Sequence, residues 1–304
     1  MGHEHATAWP SLPFEAWRDT KMTLHLWFQI IGKIRLAQMP PLNHSWHVSL
    51  YVTASGLTTL AIPHGERSFQ IDFDFITHEL AIHSSDGRMR KLGLEPQPVA
   101  SFYANVMAAM TELGLPVRIS RQPNELDESI PFDEDRVHRS YDPQYANRFW
   151  RVLVQCDRVM KQFRSRFVGK SSPVHFFFGN CDLATTRFSG RQAPPHPGGR
   201  KHLPDRVLRD AYSQESSTCG FWPGGTEHPH AAFYCEAYPP PPGFEKAKVR
   251  PTAAHYSEEL KEFVFPYDEM RNSPHPDEAL LEFFQSTYEA AANLGRWDRR
   301  ALEC

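Results

Sequence analysis

The residues best suited to chemistry in this chain gather between positions 175 and 199, where His175, Arg187, Arg191 and His196 stand among aromatic and small residues. A strand opening at Val174 alternates its faces, so His175 shares a face with Phe177, while Phe176 and Phe178 take the other. Rings this dense imply a strand covered on both sides, and a histidine there is desolvated unless a pocket opens at it. The returning strand sets Thr185, Arg187 and Ser189 on one face. A guanidinium among Leu183, Ala184 and Phe188 needs a partner, because an unpaired buried charge is costly. Asp182, Asp72, Asp74 or Glu236 would serve as a salt-bridge partner. So would a substrate carboxylate or phosphate, which the planar fork of arginine grips at two points. Arg191 follows Ser189-Gly190 and adds a second positive group at a glycine bend.

These residue types suggest acid/base chemistry on a small anionic metabolite. His175 is the expected base or ligand, Glu215 or Glu236 the acid, and Arg187 and Arg191 the anion clamp, with His196 and His47 as further ligand contacts. A transition-metal site is the other chemistry on offer, from His44, His47, His175 and Glu215, since zinc and iron sites combine two or three histidines with a carboxylate. The spacing gives it little support: His44 and His47 are an i, i+3 pair in an extended context, and no HExxH occurs. Sixteen histidines make the chain histidine-rich, but a single histidine is more often a surface or core residue than a ligand. Cys219, in the stretch 216–225 with its glycines, is a candidate thiol nucleophile, weighed against the commoner inert buried cysteine. Neither GxGxxG nor GxxxxGK[ST] is present, so a standard nucleotide cofactor is not expected.

Two sets of elements must position these groups. Trp17, Thr20, Leu24, Trp27, Ile31 and Ile34 recur at steps of three and four and predict a long helix over about 12–37. A β-branched stretch from His47 to Thr53, a return over 57–62, an alternating segment 68–75 and a hairpin about Asp86-Gly87 follow. A helix over 99–113 comes next, then a short strand over 117–120. Residues 121–146 read as an acidic linker wrapped over the surface. Phe149, Val152, Cys156, Val159, Phe163 and Phe167 then predict a second long helix, followed by strands at 174–178 and 183–189. A last helix carries Leu280, Phe283, Phe284, Tyr288, Ala291 and Leu294.

The segments 99–114 and 280–295 match in their apolar and aromatic positions, down to a closing Leu-Gly. Each long helix is followed by a strand opening on a histidine, His47 or His175. The expected architecture is therefore α+β: two related α-β(n)-α halves, with antiparallel sheets flanked by long helices and a pseudo-twofold internal duplication. The halves are 1–120 and 147–304, the second enlarged by a Pro-rich insertion at about 190–256. Such an insertion suits a lid over a cleft rather than core. Gly114 and Gly295 are expected to close their helices in the left-handed conformation.

Composition narrows the class. The 304 residues carry a net charge of −3, 40% hydrophobic and 23% charged residues. That supports a sizeable core and gives no basic excess for nucleic acid or an anionic membrane. No apolar run approaches the roughly 18 residues of a membrane span, and the N-terminus lacks the pattern of a signal peptide. Five cysteines, an odd number without a CxxC pair, read as reduced thiols of a cytoplasmic protein.

The stretches FVGKSSPVHFFFGNCDLATTRFSGRQAPPHPGG (167–199), NHSWHVSLYVTASGLTT (43–59) and SSTCGFWPGG (216–225) resemble an uncharacterised bacterial family of unknown function. That resemblance implies a bacterial, cytosolic protein and brings no reaction, cofactor or catalytic residue with it. On the residues themselves the expectation is a small-molecule enzyme. The alternative is a non-catalytic protein whose cleft holds a ligand or peptide, or which serves as a scaffold.

Overall fold

Helix α1 (Phe14–Gln38) is the element around which the others are arranged, and it is buried almost continuously from Thr20 to Arg35. Its Phe28 shows why: that ring meets Phe73 and Phe75 on one side, and Phe149 and Phe176 on the other. The computed structural model describes residues 8–126, 129–200 and 203–304. After α1 come β1 (Tyr51–Val52), β2 (Gly56–Thr58), β3 (Ile62–His64), β4 (Arg67–Asp74), β5 (Glu79–Ser84), β6 (Met89–Gly93) and α2 (Val99–Glu112). The second half runs α3 (Pro143–Ser165), β7 (His175–Phe177), β8 (Asp182–Gln192), α4 (Asp205–Ala211), β9 (Gln214–Trp222), β10 (Ala232–Tyr238), β11 (His255–Ser257), β12 (Glu262–Pro266), α5 (Tyr267–Arg271), α6 (Pro276–Leu294) and α7 (Arg299–Leu302).

The fold is α+β, as expected, with two antiparallel six-stranded sheets among the described residues. The first has the order β1-β2-β4-β5-β6 with β3 on β4, and the second the order β11-β12-β10-β9-β8-β7. Both halves run long helix, antiparallel sheet, helix. This is the order a duplication would leave, though the two sheets differ in strand path, and element order alone does not establish common descent. The sheets meet edge to edge: Leu50 and Phe176 each donate an N–H to the other's carbonyl at 2.8 Å.

Three local expectations need correction. The stretch from His47 to Thr53 is strand only at Tyr51–Val52. His44 and Ser45 turn the chain with φ of 57° and 58°, and Arg35 Nε donates to the His47 carbonyl at 2.8 Å, so that backbone group is spent outside a ladder. No strand forms over 117–120. Gly114 does take positive φ, at 67°, but Gly295 does not. It remains right-handed at −74°, and Arg296 makes the left-handed step at 53°.

Close packing between α1 and the second sheet depends on Gly32, where a Cβ would lie 2.0 Å from the Phe178 ring. Gly32→Ala is expected to cost about 1–3 kcal/mol by overpacking, measured by urea denaturation. An unchanged midpoint would mean that Phe178 swings away freely. Cys156, Cys181, Cys219 and Cys235 are buried and Cys304 is exposed, all as free thiols. Ellman's reagent should therefore label one thiol per native chain and five after denaturation; rapid labelling of two or more native thiols would contradict this packing.

Candidate functional site

Strand pleating divides the second sheet into two faces. Thr185, Arg187, Cys219, Phe221, Phe233, Cys235, Phe263 and Phe265 share the face covered by α3 and α6. The ring contacts Phe233–Phe284 and Phe265–Phe283 pin that layer. The in-between residues, Asp182, Thr186, Thr218, Tyr234, Glu236 and Glu262 among them, line a cavity of about 980 Å³. That is ample for a small molecule. His175 and Phe177 of β7 line it as well, and the turn 44–48 and, from the insertion, Arg200, 203–212 and 227–230 supply its walls. Of the expected lining, 175–199 with the insertion, residues between His175 and Phe188 line this cavity, whereas 189–199, Arg187 and Arg191 do not.

At the floor, Tyr234 reaches across the middle strand. In register it stands opposite Gly220, which stands opposite Ala184. Its hydroxyl donates to Asp182 Oδ2 at 2.5 Å. The crossing requires glycine: a Cβ on Gly220 would lie 2.3 Å from the Tyr234 ring. Gly220→Ala should displace the ring, cut Asp182 off from its donor and cost about 1–3 kcal/mol. A Tyr234 hydroxyl that titrates identically in wild type and variant would refute this account. Tyr212, from the insertion, donates to Glu236 Oε1 at 3.0 Å. Glu125 lies against Gly179, where a Cβ would stand 2.0 Å from its Oε1.

Four carboxyls thus face one another across a sheltered space. Burial pushes Asp182 up to about 7, with Tyr234 opposing and Glu125 reinforcing the shift. Burial, then Glu236 and Asp182, push Glu262 up to about 8. Burial also raises Glu236 and Glu125. Arg200 is the cation acting on all four, and it is exposed. Asp182 is 8% exposed.

His175 is 1% exposed. Ser49 Oγ lies 3.1 Å from its Nδ1 and 3.2 Å from the Trp46 carbonyl. The carbonyl can only accept, so the Ser49 hydroxyl donates there and Nδ1–H donates to Ser49. This assignment comes from the hydrogen-bond network. Nε2 then faces the cavity as a lone pair, with no partner among the described residues. Burial, aided by Arg164 and Arg35, pushes the pKa of His175 down to about 3. The imidazole is neutral and a weak base, so it is fitted to accept a hydrogen bond, not to take a proton outright. Asp182 and Glu262, ionising near neutrality, are the better proton-transfer groups.

The other expected site residues separate. His47 lines the cavity, but its Nδ1 accepts from the Leu42 N–H at 3.2 Å. His44 lines it too, with Nδ1 donating to the Ala211 carbonyl at 3.0 Å and Nε2 accepting from Lys170 at 2.6 Å. Both nitrogens are spent. Glu215 is outside the cavity: Arg191 Nε donates to it at 2.8 Å, and the same guanidinium caps the end of α6 through the carbonyls of Gly295 and Arg296. His196 is stacked on Tyr212 at 4.9 Å between ring centroids, just behind the wall. Among the described residues, no three His, Cys, Asp or Glu side chains converge to hold a metal, so the expected ligands His44, His47, His175 and Glu215 do not form a set.

Arg187 departs furthest from expectation. It lies on the helix-covered face, with its guanidinium carbon 3.5 Å from the centre of the Phe163 ring, 4.4 Å from Tyr288 and 5.0 Å from Phe167. Its partners are π faces and the Phe163 carbonyl, not a carboxylate or a ligand. With Arg191 on the surface, the expected anion clamp is not assembled. Cys219 lies on the same covered face, buried beside Cys235, where an inert thiol belongs.

Sequence reading overlooked Glu262 and Glu125 as site residues, and took Asp182 only as a partner for Arg187. It also overlooked a buried polar row on α1, Lys21-His25-Gln29-Lys33. The i, i+4 spacing of that row was visible. His25 Nε2 lies 2.7 Å from the Gly179 carbonyl, and Gln29 binds the backbone of Asn124. The row thereby fixes the two loops that carry Gly179 and Glu125.

Comparison with known proteins gives one match. A family model described as a family of unknown function, DUF5996, matches residues 9–304. No curated protein matches, and no solved structure matches. No helix among the described residues is long and apolar enough to cross a membrane.

Proposed function

We propose, for a chain that belongs to the family of unknown function DUF5996, that the cavity on the second sheet is the active site of a small-molecule enzyme working by carboxyl acid/base catalysis. The observation that carries this reading is the grouping of Asp182, Glu236 and Glu262 on one sheet face inside a closed-in cavity. There burial raises the proton affinity of each, and Glu236 and Asp182 raise that of Glu262 further. Carboxyls whose proton affinity is brought near neutral pH can both give and take a proton at working pH. Asp182 is assigned proton transfer, Glu262 the complementary transfer, Tyr234 the hold on Asp182, and His175 Nε2 acceptance of a substrate hydrogen bond.

The test is untargeted turnover. Wild-type protein and Asp182→Asn are incubated with a pooled bacterial metabolite extract and followed by mass spectrometry. At least one compound should be consumed by wild type and spared at least 100-fold by the variant, as expected for loss of a general acid or base. Turnover unchanged in Asp182→Asn overturns the assignment. A compound retained by both proteins and converted by neither favours the binding reading, for which the aromatic lining from Trp46, Phe177 and Trp222 is the supporting observation.

A further inference from the structure

We propose that the ligand of this cavity is an organic cation, an ammonium or guanidinium group carried on an apolar body, seated between the carboxyls of the floor and the aromatic wall. The proposal rests on the cavity being a small-molecule site and adds the class of molecule it takes.

Three features point the same way. The first is charge. Glu125, Asp182, Glu236 and Glu262 line the cavity, and the cations that line it are engaged or solvent-exposed, with Arg200 acting on all four carboxyls. Lys33 donates to Asn124 Oδ1, while Arg200 and Arg206 are exposed. The floor therefore has more carboxyls than inward cations to match them, and a buried carboxylate is stable only when paired. The second is the directionality of a free polar atom. The lone pair on His175 Nε2 lacks a partner among the described residues, and His175 is 1% exposed. A neutral imidazole nitrogen of this kind accepts hydrogen bonds and repels an anion's lone pairs. An N–H-rich cation satisfies this nitrogen and pairs with the carboxyls beside it. The third is the wall. Trp222, Tyr234, Tyr212 and Phe178 line the same space, and ring faces attract cations held within about 6 Å. The protein uses this pairing elsewhere, for Arg35, Arg148 and Arg187, and for Lys170 at 4.7 Å from Phe188 and 5.5 Å from Trp46.

A metal ion fits these features less well. The carboxyls are spread over three strands and a loop, no three such side chains converge among the described residues, and the volume is that of an organic molecule. An anionic metabolite would meet four carboxyls and the imidazole lone pair, with only the exposed Arg200 and Arg206 as lining arginines among the described residues.

Titration calorimetry on the intact protein tests the idea, with agmatine and spermidine as cationic probes and succinate and inorganic phosphate as anionic ones. At pH 8 at least one cationic probe should bind measurably. Its affinity should fall at least 10-fold in Glu262→Gln and in Asp182→Asn, while both variants keep the wild-type circular dichroism spectrum. Affinity should also fall at least 10-fold from pH 8 to pH 5.5, because the carboxyls facing the ligand, with Tyr212, Tyr234 and Arg200 about them, must give up protons to bind it. Binding of succinate or phosphate with neither cation bound overturns the proposal, and so does cation binding that both variants leave unchanged. Failure of the enzymatic reading looks different: the cation binds as described, but no compound is turned over. Conversely, an Asp182-dependent turnover of a neutral or anionic compound would retain the enzyme and discard the cation.

Discussion

Arg187→Ala is expected to destabilise the protein by about 3–5 kcal/mol, the range for stripping a large buried side chain from a packed layer. The side chain is 1% exposed and fills the space between α3, α6 and the sheet, against Phe163, Phe167 and Tyr288. Alanine would leave a void there and take away the donor to the Phe163 carbonyl near the end of α3. Burial pushes the guanidinium down only to about 10, so the charge, and with it the attraction to the rings, is present at neutral pH. Arg187→Lys should recover only part of the loss, since a compact ammonium cannot lie flat on two rings. Urea denaturation at pH 7 is the measurement. Because the residue faces away from the cavity, any probe that binds wild type should bind folded Arg187→Ala with the same affinity. A loss of stability under about 1 kcal/mol together with abolished binding would return Arg187 to the role of anion clamp.

Asp182→Asn should make the protein more stable, by an amount that grows as pH rises from about 4 to about 7. In the native chain Asp182 is held up at about 7, whereas in the unfolded chain it ionises near its ordinary value of about 4. Between these values the native state retains a proton that the unfolded state has released. Stability therefore falls as pH rises from about 4 to about 7, and above that the whole penalty is present. A shift of three pKa units corresponds to about 4 kcal/mol. Sharing protons with Glu236 and Glu262 spreads the effect, so about 2–4 kcal/mol is expected at pH 9 and close to zero at pH 4.5. Asparagine still accepts from the Tyr234 hydroxyl and lacks the charge. Paired urea titrations at the two pH values decide the matter. Equal stability changes at both would mean that Asp182 is ionised normally in the fold.

Much of the scaffold was legible from periodicity. Trp27, Ile31 and Ile34 marked α1, and Ile71 and Phe73 alternating with Asp72 and Asp74 marked β4, because each pattern reports one buried face. Patterns of this kind do not say which face of a strand meets a helix and which meets a cavity. Thr185 and Arg187 were correctly placed together on one side of β8, and Asp182 follows by parity onto the other. Yet only the packing of α3 and α6 assigns Arg187 to the rings and Asp182 to the site. Glu236 was singled out and does line the cavity. Glu262 was passed over, since its importance arises from its neighbours Glu236 and Asp182, which are distant in sequence. His47 was read as the opening of a strand because Val48, Leu50 and Val52 favour one. The turn at His44-Ser45 and the pull of Arg35 on its carbonyl are tertiary effects that no propensity records.

The alternation along β8, β9 and β10 has a consequence for how such a chain can change over time. These strands behave like a reading frame of period two, with one phase spelling the layer under the helices and the other the cavity. Substitutions in the cavity phase, at Thr186, Thr218 or Glu236, can reshape the cavity while the layer under α3 and α6 stays as it is. An insertion or deletion of one residue within β9 would instead exchange the phases, turning Phe221 outward and Thr218 inward together. Changes in length are therefore confined to places where the frame is already broken, such as the irregular register between Phe188 and Gln192 and the Pro-rich loops beyond it. New lid lengths can be tried there without rewriting either message.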